Sequence, residues 1–352
     1  MATIDFRRFP SASEVYLCRD RGYFPVLASV RGEEVLAVIR AGAGHVGVTG
    51  RLEAIRSPDG GRKWEAPVVI VDSQADDRNP AVGVAPDGTV VLAYHTQGSY
   101  GEDGTWSPEL RRVQMRVIRS RDGGRSWEDD RPLGFPAMKK HSAFGHIVTL
   151  PGGTMLLPLY GSDNDSADEA DDCAYLLRSD DNGRTWERPS LIAERYNETA
   201  LLLTSDGVLL AAMRSADRGG LVSVSRSADG GCTWDAPSEV TREREHPADL
   251  ALLSNDWVLM VYGVRREPFG VQARVSKDSG RTWSGPLIVC DDLGNRDLGY
   301  PSTVRLGERL VTAYYSTPRV WNATDYLGEG AFARALLYSE VDLIEALTRN
   351  TI

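Results

Sequence analysis

The chain has 352 residues, 41% of them apolar, and 40 Lys and Arg against 50 Asp and Glu give a formal charge of −10. No basic run is present to neutralise phosphates, which argues against a nucleic-acid partner, and no apolar run approaches the ~20 residues of a membrane-spanning helix, so no membrane contact is expected. Cys18, Cys173, Cys232 and Cys290 lack metal-type spacing and do not form a disulfide framework, and residues 1–8 lack an apolar leader, which gives the expectation of a cytoplasmic protein.

The first predicted strand, 14–18, stands ahead of six copies of one hairpin. Each copy is an apolar run, a tight turn and a second apolar run: 25–30 and 35–39, 80–84 and 90–94, 146–150 and 155–160, 199–203 and 208–213, 248–253 and 258–262, and 302–306 and 310–314. Near-continuous apolar runs of this length read as strands covered on both faces, and the intervening Pro-Asp-Gly, Pro-Gly-Gly and Ser-Asp-Gly triplets are hairpin chemistry. A second repeat follows five of the hairpins. Ser-x-Asp-x-Gly-x-x-Trp starts at Ser57, Ser120, Ser179, Ser227 and Ser276 and ends at Trp64, Trp127, Trp186, Trp234 and Trp283. In such a box the Asp accepts backbone N–H groups, the Gly supplies a positive φ and the Trp caps the apolar layer beneath.

A unit recurring at roughly 50 residues is the signature of a propeller or solenoid. Each box falls between a third and a fourth strand, as between 51–56 and 68–71, so the expected fold is all-β: a six-bladed β-propeller of four-stranded antiparallel blades. The last unit has no box. Its third strand is 333–339, and its fourth is supplied by 14–18, which closes the ring and protects its edges. No domain boundary is visible, so residues 1–352 are expected to form a single domain. Residues 164–172 read as a polar loop and 341–348 as a short terminal helix.

The hairpins make a functional prediction. Residues just before each first strand and just after each second strand must share one end of the ring. They include Tyr23, Phe24, Arg40, His45, Asp77, Arg78, His95, His141, His146, Tyr160, Glu198, Arg214, His246, Asp249, Arg265, Tyr300 and Tyr315, among them all five histidines of the chain. Trp106 and Trp321, outside the boxes, lie in long loops at the same end, where they either form an aromatic wall for a sugar or pack their own loops.

The boxes and six units resemble the sialidase superfamily over most of the chain. That resemblance implies a Glu ahead of the fourth blade that activates a Tyr nucleophile from the sixth, and arginines that hold a substrate carboxylate. Asn197-Glu198-Thr199 and Met213-Arg214-Ser215 look like that Glu and one such arginine, Arg265 in Tyr262-Gly263-Val264-Arg265 like another, and Tyr300 in Gly299-Tyr300-Pro301 like the nucleophile. The segment that carries a further arginine in the family reads Gly22-Tyr23-Phe24-Pro25 here, and His45 stands where the family has its acidic Asp.

The residue chemistry suits these roles. A neutral phenol approaches an anionic sugar without repulsion and is activated by a nearby carboxylate. A guanidinium fork suits a carboxylate. Arg40 and Arg78 either replace the missing arginine or pair with Asp77. His45, in a loop with Gly42, Gly44 and Gly47, is a proton donor or acceptor near neutrality. Asp77 is either an acid or the cap of a turn, and His95 and His146 are read as ligand contacts. No metal or cofactor is expected. The leading expectation is an exo-acting glycoside hydrolase on a terminal acidic or deoxy sugar, with retention through Tyr300. A polysaccharide lyase using His45 and Tyr300 on a uronic acid, and a non-catalytic carbohydrate-binding propeller, are the alternatives.

Overall fold

The computed structural model describes residues 3–105, 107, 113–135, 140–162, 169–317 and 330–349. Six antiparallel sheets are arranged as a propeller. Blade one is built from Tyr23–Arg31, Glu34–Ala41, Arg51–Ser57 and Val68–Val71, from the axis outward, and blade two from Asp76–Val84, Val90–Gln97, Val113–Ser120 and Glu128–Pro132. Blade four holds Tyr196–Leu203, Leu209–Ser215, Val222–Ser227 and Ser238–Glu239, and blade five holds Glu245–Leu252, Val258–Val264, Gly270–Ser276 and Leu287–Cys290. Blade six takes Leu298–Leu306, Arg309–Ser316 and Phe332–Ser339 from the end of the chain, and its outermost strand is the N-terminal Ser13–Arg19. The predicted closure of the ring is present.

Blade three departs from the expected pattern. Its predicted inner strand, 146–150, is broken. Lys140–Ala143 and Val148–Thr149 both pair with Met155–Ser162, while Gly145–His146 turns aside and pairs in parallel with Ala81 and Val82 of blade two. Two glycines permit this. Gly145 has φ +84, and a Cβ on Gly83 would lie 2.4 Å from the Ile147 carbonyl oxygen. Cys173–Ser179 and Glu187–Glu194 complete that blade.

The apolar core is divided among the gaps between blades. Leu27, Ala37 and Ile39 of blade one meet Val304, Val311 and Ala335 of blade six. Leu36 and Val38 meet Val90 and Leu92 of blade two, and each later pair of neighbouring blades has its own cluster. Every middle strand is therefore covered on both faces, which explains the unbroken apolar runs. Helix Glu340–Arg349, close to the predicted 341–348, adds Leu343 and Leu347 to the cluster between blades five and six.

The boxes fasten these gaps. In the first, Ser57 Oγ donates to Asp59 Oδ1 (3.0 Å) and accepts Gly61 N–H (2.8 Å), while Asp59 Oδ1 accepts Lys63 N–H (2.8 Å). The last glycine of each box has φ between +77 and +85 and packs on the preceding blade, against its second strand at Gly61, Gly124, Gly183 and Gly280 and against Leu176 of its third strand at Gly231. A Cβ on Gly183 would come within 2.7 Å of Val91, and one on Gly231 within 2.5 Å of Leu176. Glycine is thus required twice, for its dihedral and for the close approach. Gly183→Ala is expected to destabilise the protein by about 2–4 kcal/mol, from left-handed strain plus overpacking. Gly207→Ala, with a similar φ of +81 but open space around the Cβ, is expected to lose only about 1 kcal/mol. Equal losses in urea denaturation would contradict the inter-blade contact.

Candidate active site at the mouth of the axis

Five of the six inner strands carry the same irregularity near their start. Pairing shifts by one residue between Tyr23 and Val26, Arg78 and Ala81, Tyr196 and Thr199, Glu245 and Ala248, and Gly299 and Ser302. Two residues of the inner strand thus oppose one of its neighbour, a β-bulge that re-aims side chains. The pairs are Phe24-Pro25, Asn79-Pro80, Asn197-Glu198, His246-Pro247 and Tyr300-Pro301. Proline suits the unpaired second position because it has no N–H to lose. Only Glu198 departs from it, and its N–H is taken up by the Asn197 side chain at 2.9 Å. Phe24, Asn79 and Tyr300 have φ of +53, +52 and +46, a left-handed conformation that costs a non-glycine residue about 1–2 kcal/mol. Such strain concentrates at functional sites.

At the mouth of the axis the Tyr300 hydroxyl donates to Glu198 Oε1. Both side chains are about 5% exposed or less. Burial, then the Glu198 charge, pushes the Tyr300 phenol well above its ordinary pKa, against the pull of Arg265 and Arg214. It is therefore held as a neutral phenol hydrogen-bonded to the Glu198 carboxyl group. Glu198 Oε2 accepts Arg214 Nη1 at 3.1 Å, and Arg214 Nη2 reaches Glu169 at 3.2 Å. Burial acts against the Arg214 charge, but these two carboxylates raise its pKa. Arg265 lies over the Tyr300 ring, 5.4 Å from its centroid, and its Nε and Nη2 are buried with no partner among the described residues. Phe24 (4.6 Å) and Phe144 (4.9 Å, edge-on) complete an aromatic wall around Tyr300.

His45 stands on the other side of Phe24, edge-on at 5.0 Å. Its Nδ1 is 2.8 Å from Asp297 Oδ1, which also accepts the Tyr315 hydroxyl at 2.6 Å. Burial alone would raise the Asp297 pKa, but the charge and hydrogen bond of His45 and the Tyr315 hydroxyl hold it below the ordinary value.

The other predicted residues fall in different places. Arg40 is fully buried and presents nothing to a ligand. Its Nε and Nη2 lie 3.0 and 2.6 Å from Asp76 Oδ1, so its partner is Asp76 and not Asp77. Asp76 Oδ2 also accepts the Tyr100 hydroxyl (2.5 Å) and lies 3.5 Å from Arg78 Nη1 and from Gly47 N–H, while Gly47 N–H also reaches the Tyr100 oxygen at 2.9 Å. This buried group anchors the loop that carries His45. Asp77 points the other way, as alternate strand residues do, and caps a turn through Ser73 N–H (2.7 Å) and Oγ (2.9 Å), with burial raising its pKa to about 6. Arg78 lies over Phe24 at 5.7 Å. His95 is buried against Ser142 Oγ at 2.7 Å, and burial pulls its pKa well down. His146 contacts Ser302 Oγ at 3.0 Å and Asp249 at 3.3 Å. Trp106 and Trp321 lie outside the described residues. No group of three or more His, Cys, Asp or Glu suited to a metal occurs among the described residues.

Asp76, Asn79, Asp172 and Asp297 went unrecognised in the sequence. The x-Pro that recurs near the start of four inner strands would have found Asn79, and it singles out Glu198 as the one carboxylate in a proline position.

Residues 23–312 match the BNR repeat-like domain. The chain belongs to the BNR repeat-like family. It is a member of the sialidase superfamily, similar to a Bacteroides fragilis sialidase at 22% identity over 74% of this chain and 53% of that protein. It thus spans about half the length of that relative. Among solved structures, a Dyadobacter fermentans protein of unknown function superposes with a TM-score of 0.78 at 24% identity, covering 94% of this chain and 99% of that one. Trypanosoma rangeli sialidase in complex with sialic acid superposes with a TM-score of 0.73 at 15% identity, covering 98% and 62%. These likenesses concern the fold.

Two measurements test the electrostatics of this BNR-repeat propeller. Asp76→Asn leaves the Arg40 charge buried without its counter-ion, and a loss of about 3–5 kcal/mol is expected in urea denaturation. An unchanged midpoint would contradict the role given to Asp76. Asp172, beside Asn197 at 3.4 Å, has its pKa raised by burial, then by Glu169, from 3.8 to about 7. The folded chain then holds a proton that the unfolded chain releases between about pH 4 and 7, so this group's contribution to stability falls as pH rises through that window. Asp172→Asn should therefore gain on the parent chain between pH 5 and pH 8; a constant difference would contradict the assignment.

Proposed function

We propose that this chain is an exo-acting glycoside hydrolase that removes a terminal acidic sugar with retention, using Tyr300 as nucleophile and Glu198 as its base. The observation that carries this reading is the buried phenol–carboxylate pair beside Arg265, whose buried Nε and Nη2 lack partners among the described residues. Buried guanidinium N–H groups left unpaired are costly, and a sugar carboxylate would satisfy them. The sialidase names of the relatives point to the same substrate class, and a terminal sialic acid is the first substrate to try.

In the first step Tyr300 oxygen bonds to the anomeric carbon and its proton passes to Glu198 as the bond to the leaving oxygen breaks. His45 donates a proton to that oxygen. In the second step His45 takes a proton from water, the water oxygen replaces Tyr300 at the anomeric carbon, and Glu198 returns the proton to the phenol. A carboxylate nucleophile would meet the charge of the sugar acid at close range, and a neutral phenol does not.

Against a 4-nitrophenyl α-sialoside, Tyr300→Phe is expected to lower kcat by at least about 10³-fold with little change in stability. Full activity in that variant would remove Tyr300 as nucleophile. A product carrying a new ultraviolet-absorbing double bond would indicate a lyase instead, and release of saturated sugar is the result this reading expects.

A further inference from the structure

We propose that Asp297 is the positioning residue for His45, fixing its proton on Nδ1 and so leaving Nε2 as the atom that exchanges protons with substrate. The proposal rests on the hydrolase reading above and assigns a residue that neither the repeats nor the resemblance picks out. Asp297 lies in the segment between blade five and the inner strand of blade six, and is 5% exposed.

Three contacts build the arrangement. An ionised carboxylate only accepts hydrogen bonds, so the 2.8 Å contact from Asp297 Oδ1 to His45 Nδ1 makes the imidazole nitrogen the donor. The Tyr315 hydroxyl, buried on the second strand of blade six, donates to the same oxygen at 2.6 Å. The Asn295 side chain accepts Asp297 N–H at 2.6 Å and holds the backbone. The carboxylate is thus fixed before His45 meets it. The ring plane is set by edge-on contacts with Phe24 and Tyr23.

Asp297 holds the His45 ring at Nδ1. Tyr315 and Tyr23 face it as phenols. Arg265 acts on Asp297 from blade five. At the foot of the His45 loop, Arg40, Asp76, Arg78 and Tyr100 form their own group through Gly47.

Such a dyad supplies what a leaving group needs. The imidazolium gives its Nε2 proton to the departing oxygen, and the neutral ring that results keeps Nδ1–H on Asp297. It is then in the correct tautomer to take a proton from water at Nε2.

The test uses the full chain and two variants, Asp297→Asn and Tyr315→Phe, with pH profiles of kcat/KM on two α-sialosides. One carries 4-nitrophenol, which departs with little protonation, and the other an alkyl alcohol, which does not. For Asp297→Asn the expected loss is about 10²-fold on the alkyl substrate and under about 10-fold on the nitrophenyl one. The alkaline limb of the profile is expected to move to lower pH by about one unit. Tyr315→Phe, which keeps the carboxylate, should show the same pattern more weakly. Equal losses on both substrates with an unmoved limb would overturn the proposal while leaving an active hydrolase. No cleavage of either substrate by the parent chain would defeat the hydrolase reading, and this role with it.

Discussion

One extra residue near the start of an inner strand sets the geometry at the mouth of the axis. In a regular ladder, successive side chains alternate between the two faces of a blade, and both faces here are apolar gaps filled by the neighbouring blade. A polar side chain in that position would be buried without a partner. The bulge breaks the alternation at one level of the ring, at Phe24-Pro25, Asn79-Pro80, Asn197-Glu198, His246-Pro247 and Tyr300-Pro301. Residues far apart in sequence reach one another where five blades repeat the same device near the start of the inner strand. Tyr300 and Glu198 are 102 residues apart and share a hydrogen bond.

The site separates two kinds of charge. Arg40 and Asp76 are paired, fully enclosed and tied to the loops bearing Gly47 and Tyr100. They hold structure. Arg265 is half-buried, with its Nε and Nη2 buried and unpartnered among the described residues, beside a tyrosine that keeps its proton. Between them, Arg214 both holds Glu198 and remains partly exposed. A buried ion pair is weak evidence for stability, but breaking one is costly, and that asymmetry suits an anchor for a working loop.

Much of this was legible in the chain. The boxes and apolar hairpins carried the blade count, strand order and N-terminal closure, because each repeat states its turn chemistry and its buried faces locally. The hairpin rule placed Glu198, Arg214 and Tyr300 at one end of the ring, and their grouping there was drawn from the family resemblance. What the residues did not disclose were contacts set by register and by distance. Asp76 and Asp77 are neighbours, and only the pleat decides which faces Arg40 and which faces Ser73. Arg40 read as a rim residue because its buried pairing with Asp76 of the neighbouring blade is a contact between distant elements. Asp297 sits in no repeat, and its value comes from His45, 252 residues away. Blade three read as regular because Gly83 and Gly145 act across blades.

The central claim is that Tyr300 attacks the sugar with Glu198 as its base. The most direct measurement is mass spectrometry of the chain after reaction with a 2,3-difluorinated sialic acid donor, whose second fluorine slows turnover of any covalent intermediate. The account predicts one sugar attached, with peptide mapping at Tyr300, and no attachment in a Glu198→Gln chain over the same time. Attachment at another residue, or turnover of the donor with no adduct at Tyr300 at any quench time, would contradict it.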